Sequence, residues 1–348
     1  MTQTTAIHPP PPLGRRRAVR VTSTSVVKQR FGDDVRRCPL IIEPTLDGVN
    51  LCRWAAENRE TLESLLIEHG ALLFRRFGVA DVPTYNAFVR VFSEELLDYV
   101  ERAAPRRAVA KGVYTSTEFP ADQRIPQHHE LAFSHRWPQL LWFFCLQPAE
   151  SGGCTPLALA RDVYAAIPDD VREPFERHGV LYVRNYGHGI DMGWEEAFQT
   201  RDRCQVERYC EDANTAFEWL PGNRLRTRHW RPATRRHPIT GEIVWFNSAH
   251  LLHVSNLDHE TRAALLAQLA VEDLPRNVFY GDGTPIPDEA LDRIRQIYAD
   301  CAVHVPWETG DVLMIDNLLV THGREPFTGA RRVLVSMARP DADPHTRA

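Results

Sequence analysis

Apolar positions recur in two rhythms along this chain, and the changes of rhythm mark its elements. From Leu51 to His69 they fall at helical spacing and Gly70 ends the run; Ala71-Leu72-Leu73-Phe74 then reads as a strand, and Val82 to Tyr99 as a second helix. Between Pro126 and Pro138, the stretch Gln127-His128-His129-Glu130-Leu131-Ala132-Phe133 predicts strand and turn, with a further strand from Leu140 to Leu146. Helices are expected over Ala160 to Ile167, 170 to 178 and Glu195 to about Cys210, with a strand at Leu181-Tyr182-Val183-Arg184 among them. A hairpin is expected from Phe217–Leu220 and Arg224–Arg228 around Pro221-Gly222-Asn223, then a strand over Glu242 to Asn247 after Thr240-Gly241. Helices near 257–270 and 287–299 precede a turn and strand over Gly310 to Asn317, the sequence Val320-Thr321-His322-Gly323-Arg324, and a strand opened by Arg331-Arg332.

Composition narrows the picture. With 348 residues, 43% of them hydrophobic, the chain can bury a large core, and a single elaborated domain over residues 21–348 is expected, with an inserted substrate-side segment around 180–300. Residues 1–20, with Pro9 to Pro12 and Arg15-Arg16-Arg17, read as a disordered tail. A net charge of −5 supplies no electrostatic footprint for nucleic acid or an anionic membrane. Seven cysteines, odd in number and without a CxxC, fit reduced thiols, and no apolar run reaches membrane-spanning length; a cytoplasmic protein is expected. Nothing in the sequence sets an oligomeric state.

Side chains two apart on a strand share a face, so His128 and Glu130 project together while His129 points away. An imidazole and a carboxylate, joined by a second imidazole, make a facial triad suited to non-haem Fe(II). With 15 His and 46 acidic residues such a triplet also arises by chance, so its surroundings must carry the reading. They do so near the C-terminus: His322 is followed about ten residues later by Arg331-Arg332, which reads as a hairpin whose arms face one interior. An unpaired arginine there calls for an anion. Alternation sets Arg331 with Val333 and Val335, and Arg332 with Leu334 and Ser336.

In this order, His128-x-Glu130, Gly152-Gly153-x-Thr155, Asp316-Asn317, His322-Gly323-Arg324 and Arg331-Arg332 resemble the taurine dioxygenase-like Fe(II)/2-oxoglutarate oxygenases, over about residues 40 to 338. Asn185-Tyr186, His237-Pro238-x-Thr240-Gly241-Glu242-x-x-Trp245-Phe246-Asn247 and Tyr280-Gly281-Asp282-Gly283 resemble the branch with clavaminate synthase-like proteins and the syringomycin-pathway aspartyl hydroxylase. The resemblance implies a mainly β fold with flanking helices around a double-stranded β-helix, or jelly-roll, core. It places iron on His128, Glu130 and His322, the 2-oxoglutarate carboxylate on Arg332 with Arg331 as competitor, and a hydroxyl partner on Thr155. The spacing from His322 to Arg332 is short for this family, and Cys154 stands where a polar or acidic residue is expected.

The activity it implies is an Fe(II)-, 2-oxoglutarate- and O2-dependent hydroxylation of a small molecule, an amino acid either free or tethered to a carrier protein. Desaturation and ring closure use the same oxidant. A metal dioxygenase without 2-oxoglutarate and a non-catalytic binding jelly roll are the other classes. Because Glu130 retains the carboxylate, the resemblance implies an oxygenase, not a halogenase. Asn185, His188, Arg226 and Arg228 are the candidate substrate contacts, whereas His250, His253 and His259 read as packing or surface residues.

Overall fold

Strand Arg136–Gln147 is buried along most of its length, and strand alternation divides it between two cores. Leu140, Trp142 and Phe144 face one cluster, while Leu141, Phe143 and Cys145 face another. This is why Leu140 to Leu146 is continuously apolar: both sides of the sheet are covered. The structure, a computed structural model, describes residues 26–97, 107–116, 119–187 and 189–342. The expected tail at 1–20 lies outside them.

The largest sheet has eight strands in the order Val27–Phe31, Leu40–Pro44, Ala71–Phe74, Val312–Asp316, Arg136–Gln147, Arg332–Ala342, Val113–Thr115 and Ala108–Ala110. All neighbours are antiparallel except Leu40–Pro44 with Ala71–Phe74. One face carries helices Leu51–Glu57, Arg59–His69 and Val82–Phe92. The expected single helix from Leu51 to His69 is thus two, broken where Asn58 leaves helical geometry at φ −120° and ψ 16°. Gly70 ends the second helix at φ +73°, and a Cβ there would also lie 2.4 Å from Val320. The helix from Val82 stops at Phe92, short of the expected Tyr99, and residues 98–100 are outside the description.

Opposite the helices, the inner face packs against a three-stranded antiparallel sheet, Ile125–His128, Val320–Arg324 and Leu157–Leu159. The sequence leads one to expect His322 and the Arg331-Arg332 strand as arms of one hairpin. Instead Val320–Arg324 belongs to the small sheet and Arg332–Ala342 to the large one, so the chain crosses between layers after Arg324.

A separate four-stranded antiparallel sheet, in the order Ala216–Leu220, Arg224–Arg231, Val180–Tyr186 and Arg276–Tyr280, occupies the middle of the chain. It packs with helices Asp169–His178 and Asp288–Asp300. The helix expected from Glu195 to Cys210 is two pieces, Trp194–Ala197 and Arg203–Asp212. The architecture is mixed α/β with several antiparallel sheets. Among the described residues, no helix is long and apolar enough to cross a membrane.

Candidate active site

His128 and His322 are direct cross-strand partners in the three-stranded sheet, with ring centroids 4.5 Å apart. The strand ends at His128, and Glu130 arrives from the turn beyond it, where Leu131 takes a left-handed φ of +57°. One ligand atom from each of His128, Glu130 and His322 lies within 4.8 Å of the others, and Nε2 of His322 is 3.6 Å from Oε2 of Glu130. Nδ1–H of His128 donates to the carbonyl of Pro126 at 2.8 Å, which leaves the Nε2 lone pair as the donor atom toward a metal.

The turn that presents Glu130 is gripped from behind. Asn317 accepts the Glu130 backbone N–H at 2.8 Å and donates its amide to the carbonyls of Glu130 and Pro138, each at 2.9 Å. Neighbouring Asp316 accepts the backbone N–H groups of Leu318 and Leu319 and a hydrogen bond from His237 Nε2 at 3.2 Å. His129 points away from the cluster, as alternation predicts, and is buried between the carbonyls of Asn317 and Trp245, 2.5 and 2.8 Å from its two ring nitrogens. Two more histidines bind this segment: His229 Nε2 meets the carbonyl of Phe133 at 2.7 Å, and His250 Nε2 that of Gln127 at 2.8 Å.

A pocket opens beside the triad, lined by His128 and His322 and by Ser116, Phe143, Thr155, Arg324, Arg331 and Val333. Arg331 is partly buried and its Nε–H donates to the Gly153 carbonyl at 2.8 Å. It forms no ion pair with a carboxylate among the described residues. Burial, and secondarily the charge of Arg324, pull its pKa down to about 10.

The expectation that Arg332 faces this interior is corrected, because Arg332 is exposed and Arg331 lines the pocket. Val333 and Val335 pack into the core shared with the small sheet, whereas Leu334 packs under the helices. Arg331 therefore has the inner face by alternation. The pairing with Arg136–Gln147 also slips here, with Arg332 opposite Gln147 and Val333 opposite Cys145.

Thr155 is buried in the same pocket and its hydroxyl oxygen accepts from Trp307 Nε1 at 3.2 Å. The preceding glycines shape this wall. Both have positive φ, +69° at Gly152 and +67° at Gly153. A Cβ on Gly152 would come 2.2 Å from the Pro326 carbonyl oxygen, and one on Gly153 3.0 Å from Cδ of Arg331. Cys154 is half-buried, and its carbonyl accepts the backbone N–H of Glu325 at 3.1 Å.

Of the candidate substrate contacts, Asn185, Arg226 and Arg228 do not line the pocket beside the triad. The Asn185 amide donates to the carbonyls of Glu272 and Leu274, and Arg226 is engaged by Asn185 and Asp273. Arg228 lies on the outward face of the four-stranded sheet, 3.9 Å from Glu218. These three share a face, on which Asn185, Arg226 and Asp273 form one bonded network. His188 lies outside the described residues. His250 and His253 are buried packing residues, and burial holds both at a pKa of about 4. Arg324 was legible in principle, since it stands two residues beyond His322 on a strand and period two places it on the ligand's face.

Two imidazoles and a carboxylate suit Fe(II), and Arg331, partly buried and without a carboxylate partner among the described residues, suits an anionic co-substrate beside it. The family model for taurine catabolism dioxygenase TauD, TfdA family, matches residues 34–338. Dapdiamide synthesis protein DdaC of Enterobacter agglomerans is 42% identical over 291 residues, 82% of this chain and 88% of that protein. A clavaminate synthase-like protein of Arabidopsis thaliana is 36% identical over 288 residues, 80% of this chain and 84% of its own. Among solved structures, PvcB of Pseudomonas aeruginosa shares the fold with a TM-score of 0.53 at 17% identity, over 88% of this chain and 89% of that one. The chain therefore belongs to the TauD/TfdA family of oxygenases, with Fe(II) as its metal and 2-oxoglutarate as its co-substrate.

Proposed function

We propose that this protein hydroxylates an unactivated C–H bond of an amino acid, free or carried on a carrier protein, or of a related small metabolite in a biosynthetic pathway. The kinship with a dapdiamide synthesis protein and a clavaminate synthase-like protein supports that substrate class. In this reading His128, Glu130 and His322 hold Fe(II), which with 2-oxoglutarate and O2 supplies the oxidation: one oxygen atom enters the substrate as hydroxyl and 2-oxoglutarate leaves as succinate and CO2.

The residues around the metal orient and select. His128 keeps its Nε2 toward the metal because Nδ1–H is committed to Pro126, and Asn317 fixes the Glu130 turn from both sides of its peptide. Arg331 pairs with the distal carboxylate of 2-oxoglutarate, and the Thr155 hydroxyl, already accepting from Trp307, donates its proton to the same group. Phe143, Val333 and Val335 keep water from the chain between the carboxylates. The observation that carries the reading is Arg331, a partly buried cation without a carboxylate partner among the described residues, in the pocket that His128 and His322 also line.

We read the eight-stranded sheet and the three-stranded sheet facing it as the walls of a double-stranded β-helix within one domain, with the four-stranded sheet as the inserted segment on the substrate side. Seven free cysteines support a reducing, cytoplasmic setting.

The test is anaerobic titration of the protein and Fe(II) with 2-oxoglutarate, following the weak visible metal-to-ligand absorption, then succinate formation with a panel of amino acids. Absence of that absorption removes the 2-oxoglutarate site. Absorption without amino-acid-stimulated succinate moves the substrate elsewhere.

A further inference from the structure

The pocket beside the triad contains a second guanidinium that the proposed chemistry does not use. Arg324 is only 6% exposed. Its Nη1 donates to the Phe119 carbonyl at 2.9 Å, and its Nη2 to the carbonyls of Pro120 and Gln123 at 2.5 and 2.9 Å. These bonds hold the side chain in place but do not neutralise it. Among the described residues no carboxylate pairs with Arg324, and none accepts from its buried Nε–H.

Arg324 and Arg331 stand close to the same aromatic ring, their guanidinium carbons 5.1 and 5.7 Å from the centroid of Phe327. Two like charges sharing a buried pocket repel, and each has given up solvent. The charge of Arg324 is felt at Arg331, where it helps to lower the pKa. The three carbonyls belong to the segment leading into the strand of His128, and that segment is docked independently. Phe327 N–H donates to the Ala121 carbonyl at 2.9 Å, and Arg124 pairs with Glu325 at 2.9 Å. Pinning this segment therefore does not require a cation in the pocket. A dianion entering the pocket would offset both charges at once.

We propose that Arg324 is a specificity-determining residue for the co-substrate: a rigid second cation, clamped by main-chain carbonyls, that makes the pocket select a dianionic 2-oxo acid over a monoanionic one. The proposal rests on the reading of this pocket as the 2-oxoglutarate site. Arg331 provides the direct pair to the distal carboxylate, while Arg324 supplies field from a fixed position.

The experiment measures binding to the Fe(II)-loaded full chain by anaerobic absorbance titration, with 2-oxoglutarate and with 2-oxopentanoate, which keeps the chain and lacks the distal carboxylate. Arg324→Met is expected to weaken 2-oxoglutarate about tenfold or more and to leave 2-oxopentanoate nearly unchanged, so the preference for the dianion falls by that factor. Arg324→Lys, which keeps the charge, should restore most of the preference. Parallel weakening of both ligands, or no change in either, overturns the proposal in favour of a purely structural clamp. If Arg324→Met does not fold, Arg324→Lys decides against Arg324→Gln: equal preference in those two variants overturns it. Arg331→Leu is the separate control on the pocket itself. Unchanged 2-oxoglutarate binding there means the site reading has failed, whereas loss there with no change at Arg324 means only this inference has.

Discussion

Nδ1 of His129 lies 2.5 Å from the carbonyl oxygen of Asn317, the residue whose side-chain amide grips the backbone of Glu130. The histidine beside the first metal ligand thus faces away from the metal and still determines where the carboxylate ligand stands. Truncating it opens a cavity against Phe246 and removes the ring N–H that donates to one of the two buried carbonyls, of Asn317 or Trp245, beside it. His129→Ala should cost about 3–5 kcal/mol of stability, by denaturant unfolding. It should lower iron affinity through misplacement of Glu130. Wild-type stability in this variant would mean that the Asn317 turn is held by other contacts.

Replacing a ligand should behave differently. His128→Ala, Glu130→Ala and His322→Ala should each abolish 2-oxoglutarate turnover by removing one of the three clustered ligand groups, while a cooperative unfolding transition is retained. Succinate production near the wild-type rate in His322→Ala would remove it from the metal site.

For the adjacent arginines the expected asymmetry is large. Arg331→Ala should raise the 2-oxoglutarate requirement roughly 100- to 1,000-fold, the scale for losing one partner of a buried charge pair. Arg332→Ala, altering an exposed side chain, should change it little. Steady-state KM values for 2-oxoglutarate in the two variants check this, and the opposite ranking would reverse the strand face assigned here.

Acid should weaken the fold in a defined window. Burial depresses the pKa of His250 and of His253 to about 4, below their usual value near 6.5, so the unfolded chain binds more protons between those limits. Stability is fully present above about pH 6.5 and falls as the pH drops toward 4. Each histidine should contribute roughly 1–2 kcal/mol of loss at pH 5. Urea unfolding at pH 7 and pH 5 measures this, and His250→Gln should flatten the slope. An unchanged slope in that variant would assign the acid sensitivity to other groups.

Much of this was legible before the structure, and the failures have physical causes. The apolar run around Trp142 signals a strand, which the structure covers on both sides, and Gly70 marks a helix end through the left-handed backbone it adopts. His128 and Glu130 were paired by strand alternation, although Glu130 reaches the site from a turn. The assignment of Arg332 followed a resemblance against the face pattern of Val333 and Val335, and that apolar pattern was the better guide. The Asn185–Arg226–Asp273 network could not be read from spacing, since Asp273 lies 47 residues from Arg226 and no local pattern announces the pairing. The break at Asn58 was equally hidden, because apolar periodicity continues across it.

The three histidine bonds that join the metal-bearing segment to the middle of the chain have a bearing on engineering. Each runs between an imidazole and a main-chain carbonyl, at Gln127, Phe133 or Trp245, and carbonyls are present whatever side chain occupies the position. The four-stranded sheet shares no strand with the sheets that carry the metal ligands. A transplanted middle segment would therefore have to bring donors equivalent to His229 and His250 and offer one acceptor to His129, but it could otherwise be rebuilt freely around a new cargo. Grafts that discard those donors should lose the metal centre even though none of its ligands was altered.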